Sequence, residues 1–233
     1  MTSQRAGASR VELCASMPEG GTTPSGGLIS VVRKALEIGI FVMIRPRGGD
    51  FLYNESELQT MQYDIDMAKN LGADGIVLGI LNKNGQVNKT QVAKFVAQAY
   101  PLEVTFHRAI DCAVNYDEAL EAIIDTGCKR ILTSGQANTA FEGINNLEKI
   151  VKQAKNRIEI MAGSGVNAIN AASLLKIGVD SLHLSAKAIR NSEMIFRNDK
   201  IKMGGFGEMS EFEIAFADEQ KIRDVKNVME MFD

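Results

Sequence analysis

The segment Leu71-Gly72-Ala73-Asp74-Gly75-Ile76-Val77-Leu78-Gly79 decides the fold, because it carries the chain from the end of a helix into a buried strand. A glycine just past a helix favours a left-handed cap, and the apolar run after it has the length of one strand. The same form comes before Val11-Glu12-Leu13-Cys14, Arg130-Ile131-Leu132 and Leu182-His183-Leu184. Three more strands are predicted at residues 40–44, 103–107 and 158–161.

Helical patterns separate these predicted strands. Apolar residues recur at helical spacing in two clear cases, Leu58, Met61, Ile65 and Ala68, and Leu147, Ile150, Val151 and Ala154. Strands that alternate with helices pair in parallel, and so many similar units favour a closed barrel. The sequence therefore predicts the α/β class and a TIM-type (β/α)8 barrel. An open doubly wound sheet is the alternative.

The two ends of the chain modify this prediction. Gln4-Arg5-Ala6-Gly7 already reads as the end of a helix, so we expect the barrel to lack its first βα unit. Seven strands would leave two unpaired sheet edges. We expect residues 1–233 to form a single β/α-barrel domain, with an irregular C-terminal extension from about residue 191. A last amphipathic helix is predicted from about Asp218.

The composition limits the partners and the location. The 233 residues carry a net charge of -3, which gives no electrostatic reason to expect nucleic acid or an anionic membrane as a partner. No apolar run approaches the roughly 20 residues of a membrane span, and residues 1–10 lack the apolar stretch of a secretory signal. The three cysteines have no close pairing, which indicates reduced thiols. We therefore expect a cytoplasmic protein, with the nucleus as a second location.

Alternation along the strands sorts the side chains into outward and inward sets. The polar and sulfur-bearing inward residues are Glu12, Cys14, Met43, Arg45, Arg47, Glu103, Thr105, His107, Glu159, Met161, Ser181, His183 and Ser185. Both histidines of the chain are in this set, near the strand ends where barrel enzymes have their active sites. The candidate acid–base residues are therefore His107, Asp111, His183 and Glu12. We also expect Glu12 or Glu159 to pair with Arg45, and the alternative is a purely structural polar core.

Loops after the strands supply candidate anion-binding groups. Arg45-Pro46-Arg47-Gly48-Gly49-Asp50-Phe51 puts two arginines and a glycine pair directly after a strand. Guanidinium groups suit carboxylates and phosphates, although a loop staple between an arginine and Asp50 would give the same pattern. Glycines and hydroxyls after the later strands extend this rim. The anion-binding candidates are Arg45, Arg47, Thr133, Ser134, Gly163, Ser164, Gly165 and Ser185.

The cysteines give a separate prediction. A soft thiolate selects Cu(I) over harder cations, and Cys14 faces inward at a strand end. Cys112 lies just past a strand end, while Cys128 precedes a strand at the opposite end of the barrel and is expected to be structural. We expect no cysteine, methionine or histidine beside these thiols at motif spacing. The sequence therefore predicts no preformed metal site.

Five blocks of the sequence resemble the CutC family of copper homeostasis proteins. They are Glu12-Leu13-Cys14, Glu19-Gly20-Gly21-Thr22-Thr23-Pro24-Ser25, Ile44-Arg45-Pro46-Arg47-Gly48-Gly49-Asp50-Phe51, Phe106-His107-Arg108-Ala109 and Leu132-Thr133-Ser134-Gly135. The likeness runs from about Ala6 to Arg190. It implies a cytosolic TIM-type barrel, a homo-oligomer (dimer or tetramer) and a role in copper handling, with Cys14 matching a Cu(I) ligand. Family members also carry an N-terminal strand and helix that this sequence does not contain.

Two functions remain open at this point. The first is copper homeostasis, with Cu(I) bound at Cys14 and copper as the partner or cofactor. The second is a TIM-barrel enzyme that acts on a small anionic or phosphorylated metabolite through the arginines and histidines of the barrel mouth. The sequence leaves open whether the protein is an enzyme.

Overall fold

The main sheet has seven parallel strands in the order of the sequence. The computed structural model describes residues 1–198, 200–201 and 210–232. The strands are β1 (Arg10–Leu13), β2 (Gly39–Met43), β3 (Gly75–Leu78), β4 (Glu103–Phe106), β5 (Arg130–Thr133), β6 (Glu159–Gly163) and β7 (Ser181–His183). The sheet curls until the side chains of Glu12 in β1 and His183 in β7 lie 3.8 Å apart. This incomplete (β/α)8 arrangement confirms the predicted fold class. The doubly wound alternative is wrong, because that sheet reverses its strand order and this one does not.

Helices connect the strands and cover the outside of the sheet. They are α1 (Thr2–Arg5), α2 (Gly26–Ala35), α3 (Glu55–Asn70), α4 (Lys89–Ala99), α5 (Tyr116–Ile124), α6 (Ile144–Ala154), α7 (Ala171–Lys176) and α8 (Glu219–Met229). Short 3₁₀ turns lie at Met17–Glu19 and Arg108–Cys112. In the described part of the chain, no helix has the length and apolarity needed to cross a membrane.

The helix α3 shows how the sequence sets these elements. Asn54 accepts a hydrogen bond from the backbone N–H of Glu57, and the Glu57 carboxylate accepts one from the N–H of Asn54, which forms a capping box. The apolar stripe predicted from the sequence buries Met61, Ile65 and Ala68 against the sheet. Because one face of each helix covers the outward face of the strands, the apolar core lies between helices and sheet.

Charged residues fill the inside of the barrel at the amino-terminal ends of the strands. The Arg130 guanidinium is buried and bonds the carboxylates of Glu159, at 2.7 Å, and Glu103, at 3.2 Å. The expected pair of Arg45 with Glu12 or Glu159 is wrong. Arg130 and Glu159 are register partners at the start of neighbouring strands, whereas Arg45 follows the opposite end of β2. The register therefore decides which charges meet.

A β-hairpin precedes the last helix. Strand β8 (Lys187–Asn191) pairs antiparallel with β9 (Glu213–Ala217), on both sides of the stretch where an irregular extension was expected. Part of that stretch, residues 199 and 202–209, lies outside the described residues. The predicted last helix is confirmed as α8, which Asp218 caps and which buries Ile222 and Val225.

Candidate functional site

A cavity of about 420 Å³ lies between the two end strands of the curled sheet. Its polar and sulfur-bearing lining includes Glu12, Cys14, Met17, His183 and Ser185. On its outer side, α8 closes the cavity with apolar side chains from Ile222 and Val225. The structure therefore brings together two of the predicted acid–base residues, Glu12 and His183, and the predicted metal ligand, Cys14.

Two sulfur atoms meet at the edge of this cavity. The chain ends β1 at Leu13 and turns back through Ser16, whose φ of 45° is in the left-handed region. This turn places Met17 over Cys14, with the thiol Sγ 3.1 Å from the thioether Sδ. The sequence prediction that no methionine lies beside Cys14 is therefore wrong. The spacing of three residues was visible in the sequence, but the turn that closes it was not.

The environment of Cys14 keeps its thiol protonated. Burial, and to a smaller extent the nearby Glu12 charge, together raise the pKa of Cys14 to about 11. Neither of the other cysteines lines the cavity: Cys112 is exposed, and Cys128 is buried beside Thr126. Cys14 is thus the cysteine of this chain that combines access to the cavity with a second sulfur atom nearby.

A second group of candidates lies outside this cavity. His107 is 4% exposed, and its Nδ1 accepts a hydrogen bond from the backbone N–H of Ala109. Burial, and to a smaller extent the charge of Arg45, together lower the pKa of His107 to about 3. The imidazole is therefore neutral at physiological pH. The two histidines do not share a site, since His183 lines the cavity and His107 does not.

Asp111 and its neighbours form an internal hydrogen-bond network. The Asp111 carboxylate accepts hydrogen bonds from Thr133 Oγ1 at 2.6 Å, from Ser134 N at 3.0 Å and from Arg108 Nε at 2.8 Å. Thr133 and Ser134 are fully buried. Their hydroxyl groups are used within the protein, and the network fixes the loop after β5 to the turn after β4.

The remaining anion-binding candidates are held in several ways. Arg47 donates to Glu57 Oε1 at 2.6 Å and to Asp50 Oδ1 at 3.0 Å, which is the loop staple considered as the alternative. Ser164 has a φ of 79° and donates through Oγ to a backbone carbonyl 2.7 Å away. Gly163 packs against His183, and Gly165 also has a positive φ, as the turn after β6 requires. An anion-binding role for these residues stays a prediction.

The set of metal-ligating side chains is small. Within the described ranges, no group of three or more histidine, cysteine, aspartate or glutamate residues could hold a metal ion. The pair formed by Cys14 and Met17 is therefore a two-sulfur arrangement without a surrounding carboxylate shell. Such a donor set suits a soft ion with few ligands and does not suit Mg²⁺ or Ca²⁺, which need several oxygen ligands.

Comparison with known proteins identifies the relatives of this chain. The model of the CutC family matches residues 1–188. The chain belongs to the CutC family. A copper homeostasis protein cutC homolog of Homo sapiens is 42% identical over 224 residues, which are 96% of this chain and 82% of that protein. A family protein CutC of Bacteroides fragilis is 45% identical over 226 residues, which are 96% and 90% of the two chains.

Solved structures agree with the CutC assignment. The crystal structure of a copper homeostasis protein CutC from Streptococcus agalactiae has a TM-score of 0.72 and 38% identity, and the match covers 76% of this chain and 88% of that one. Thiamine phosphate pyrophosphorylase from Pyrococcus furiosus has a TM-score of 0.58 at 16% identity, covering 99% and 87% of the two chains. The second likeness shows the barrel fold alone.

Proposed function

We propose that this CutC family member binds one Cu(I) ion with the sulfur atoms of Cys14 and Met17 and handles copper inside the cell. The observation that carries the proposal is the 3.1 Å contact between the two sulfur atoms at the edge of the cavity. The names of the human and streptococcal relatives, which connect those proteins with copper homeostasis, support the same function.

The donor set explains the choice of metal. Thiolate and thioether are soft ligands, which select Cu(I) over Mg²⁺, Ca²⁺ and Mn²⁺. With two metal–sulfur bonds of about 2.3 Å each, sulfur atoms 3.1 Å apart would hold the S–Cu–S angle at about 85°, and a wider angle requires one of them to move. Met17 can make this movement, because it is 55% exposed and its side chain is unbranched and flexible.

Binding exchanges a proton for the copper ion. The Cys14 thiol is protonated at neutral pH, since its pKa is about 11. Formation of the sulfur–copper bond therefore breaks the S–H bond and releases one H⁺, with no change in oxidation state. The released proton passes to the solvent.

We also propose that the protein is cytoplasmic and that it forms a homo-oligomer, either a dimer or a tetramer. The three free cysteines support a reducing compartment. Exposed apolar side chains on the hairpin, Ile189, Ile214 and Phe216, support a contact between copies. Analytical ultracentrifugation tests the oligomer, and a single monomer species at micromolar concentration would contradict it.

A Cu(I) competition titration tests the proposed site. The wild type, Cys14→Ser and Met17→Leu compete with a chromogenic Cu(I) chelator under anaerobic conditions, after circular dichroism has shown that each is folded. We expect one Cu(I) per wild-type chain, no binding by Cys14→Ser and binding weakened about tenfold or more in Met17→Leu.

Matched variants control for nonspecific effects. Cys112→Ser removes an exposed thiol away from the cavity, and Met229→Leu removes another methionine that lines it. Both should bind Cu(I) as the wild type does. If the wild type leaves all copper with the chelator, the proposed function is refuted. If Met17→Leu binds Cu(I) with the affinity of the wild type, the Met17 thioether is not a ligand and Cys14 alone remains as the proposed one.

A further inference from the structure

Arg45 is a buried cation that has no counter-ion among the residues that the structure describes. The residue is 5% exposed. Its Nη1 donates to the backbone carbonyls of Glu19 and Gly21 at 2.8 Å and 2.9 Å. Its Nη2 donates to the carbonyl of Gly49 at 2.7 Å. All three acceptors are neutral, and within the described chain Arg45 forms no ion pair and its buried Nε has no partner. Buried charges are normally paired, because an unpaired one is costly to desolvate.

A second buried donor lies close to this guanidinium. His107 Nδ1 accepts the Ala109 N–H, so the proton of the neutral imidazole is on Nε2. That Nε2 is buried and has no hydrogen-bond partner among the described residues. The Arg45 charge is near enough to lower the pKa of His107. Both groups also border one ring: Arg45 Cζ is 5.1 Å and the imidazole centroid 4.9 Å from the centroid of Phe51.

Tyr53 supplies the third donor. It is 7% exposed, and its buried O–H donates to no acceptor in the part of the chain that the structure describes. Burial raises the pKa of Tyr53, and the charge of the neighbouring Arg45 and a weak side-chain hydrogen bond from it oppose this rise. The phenol is therefore protonated at neutral pH and can donate its O–H. Among the described residues, two neutral donors without an acceptor therefore accompany the unpaired Arg45 guanidinium: Tyr53 from the same loop after β2, and His107 from the end of β4.

We propose that Arg45, Tyr53 and His107 form a binding site for one carboxylate group of a small molecule. The site offers one full positive charge and two neutral donors, which balances a monoanion and leaves the second charge of a phosphate dianion uncompensated. Phe51 supplies an apolar wall beside the guanidinium and the imidazole. None of these residues lines the cavity that contains Cys14, so the two sites are separate.

A titration with formate tests this site with a probe small enough to enter it. The folded full-length protein, labelled with ¹⁵N, is titrated with sodium formate while sodium chloride keeps the ionic strength constant. We expect saturable shifts of the Arg45 Nε–H and His107 Nε2–H NMR signals. Three results would each overturn the proposal. They are equal shifts with chloride alone, tighter binding of inorganic phosphate than of formate, and shifts that do not saturate, as expected for a site that holds only water.

Two tyrosine variants make the test specific. Tyr53→Phe removes one neutral donor without changing the ring, whereas Arg45 also holds two loops, so that its replacement would disturb the fold as well as the site. We expect formate to bind Tyr53→Phe about tenfold more weakly, which is the effect of one lost hydrogen bond to a charged group. Tyr116→Phe, which changes a buried tyrosine bonded to Thr133, should bind formate as the wild type does. Equal affinity of the wild type and Tyr53→Phe would exclude Tyr53 from the site.

Discussion

Replacing Glu12 with glutamine should make the Cys14 thiol react faster with a neutral alkylating reagent. The thiolate is the reactive form, and two features of the structure keep the thiol protonated. Burial is the larger cause, and the Glu12 charge is the smaller one. Together they raise the pKa of Cys14 from 9.0 to about 11. Removing the charge while keeping the shape of the side chain lowers this pKa and leaves the burial in place.

The size of the effect follows from these values. At pH 8, a pKa of 9.0 leaves about one-tenth of a thiol ionised, and a pKa of about 11 leaves about one-thousandth. The ionised fraction therefore falls about a hundredfold. Since Glu12 is the smaller of the two causes, it accounts for less than tenfold of this fall. The nucleophilicity of a thiolate falls with its pKa and cancels about half of the logarithmic gain. Glu12→Gln should therefore react up to about threefold faster than the wild type.

Iodoacetamide labelling measures this rate. The peptide that contains Cys14 is quantified by mass spectrometry as a function of time and pH, and the exposed Cys112 serves as the internal control. An unchanged or slower rate in Glu12→Gln, or a wild-type midpoint near pH 9, would refute the reasoning. The Cu(I) affinity at pH 7 should change little, because exchanging H⁺ for Cu⁺ leaves the charge beside Glu12 the same.

Three further predictions concern the scaffold. Arg130→Met removes the buried cation of Glu159 and leaves this partly exposed carboxylate with Lys129 alone, at 3.4 Å, so urea unfolding should show a loss of about 2 kcal/mol. Against the effect of burial, Arg130 and to a smaller extent Lys129 lower the pKa of Glu159. The wild type should therefore lose this stabilisation as the pH falls below the ordinary value of 4.5, and the variant should show a weaker dependence. In Gly79→Ala the new Cβ would lie 2.4 Å from His107 Nδ1, so NMR should show a displaced imidazole and urea unfolding a loss of about 2 kcal/mol. Asn54→Ala removes the cap of α3 and should cost about 1 kcal/mol in thermal unfolding.

The fold could be predicted because its signals are local. Each predicted strand of the barrel lies within two residues of an observed one, since a glycine after a helix and a short apolar run both act over a few residues. The hairpin of β8 and β9 was missed because its local signal is weak. Ile189, Arg190 and Ile214 are exposed, so these strands lack the usual alternation of buried and exposed residues.

The site could be predicted in part. Alternation along the strands correctly placed Glu12, Cys14 and His183 on the inside, and the structure brings them to one cavity. The role of Met17 depends on a left-handed residue at position 16, which nothing in the residue type of a serine indicates. The partner of Arg45 depends on strand register and loop paths, which connect residues far apart in the sequence and are not visible in a local pattern.

The ends of the chain meet beside the cavity, and this has a consequence for the order of folding. Neighbouring strands of the main sheet are also neighbours in sequence, so the sheet can grow by short steps. The ion pair between Arg5 of α1 and Glu219 of α8 instead joins residues 214 positions apart. Closing so long a loop costs more conformational entropy than pairing adjacent strands. We therefore expect the wall of the cavity formed by α8 to dock last during folding and to open first during unfolding.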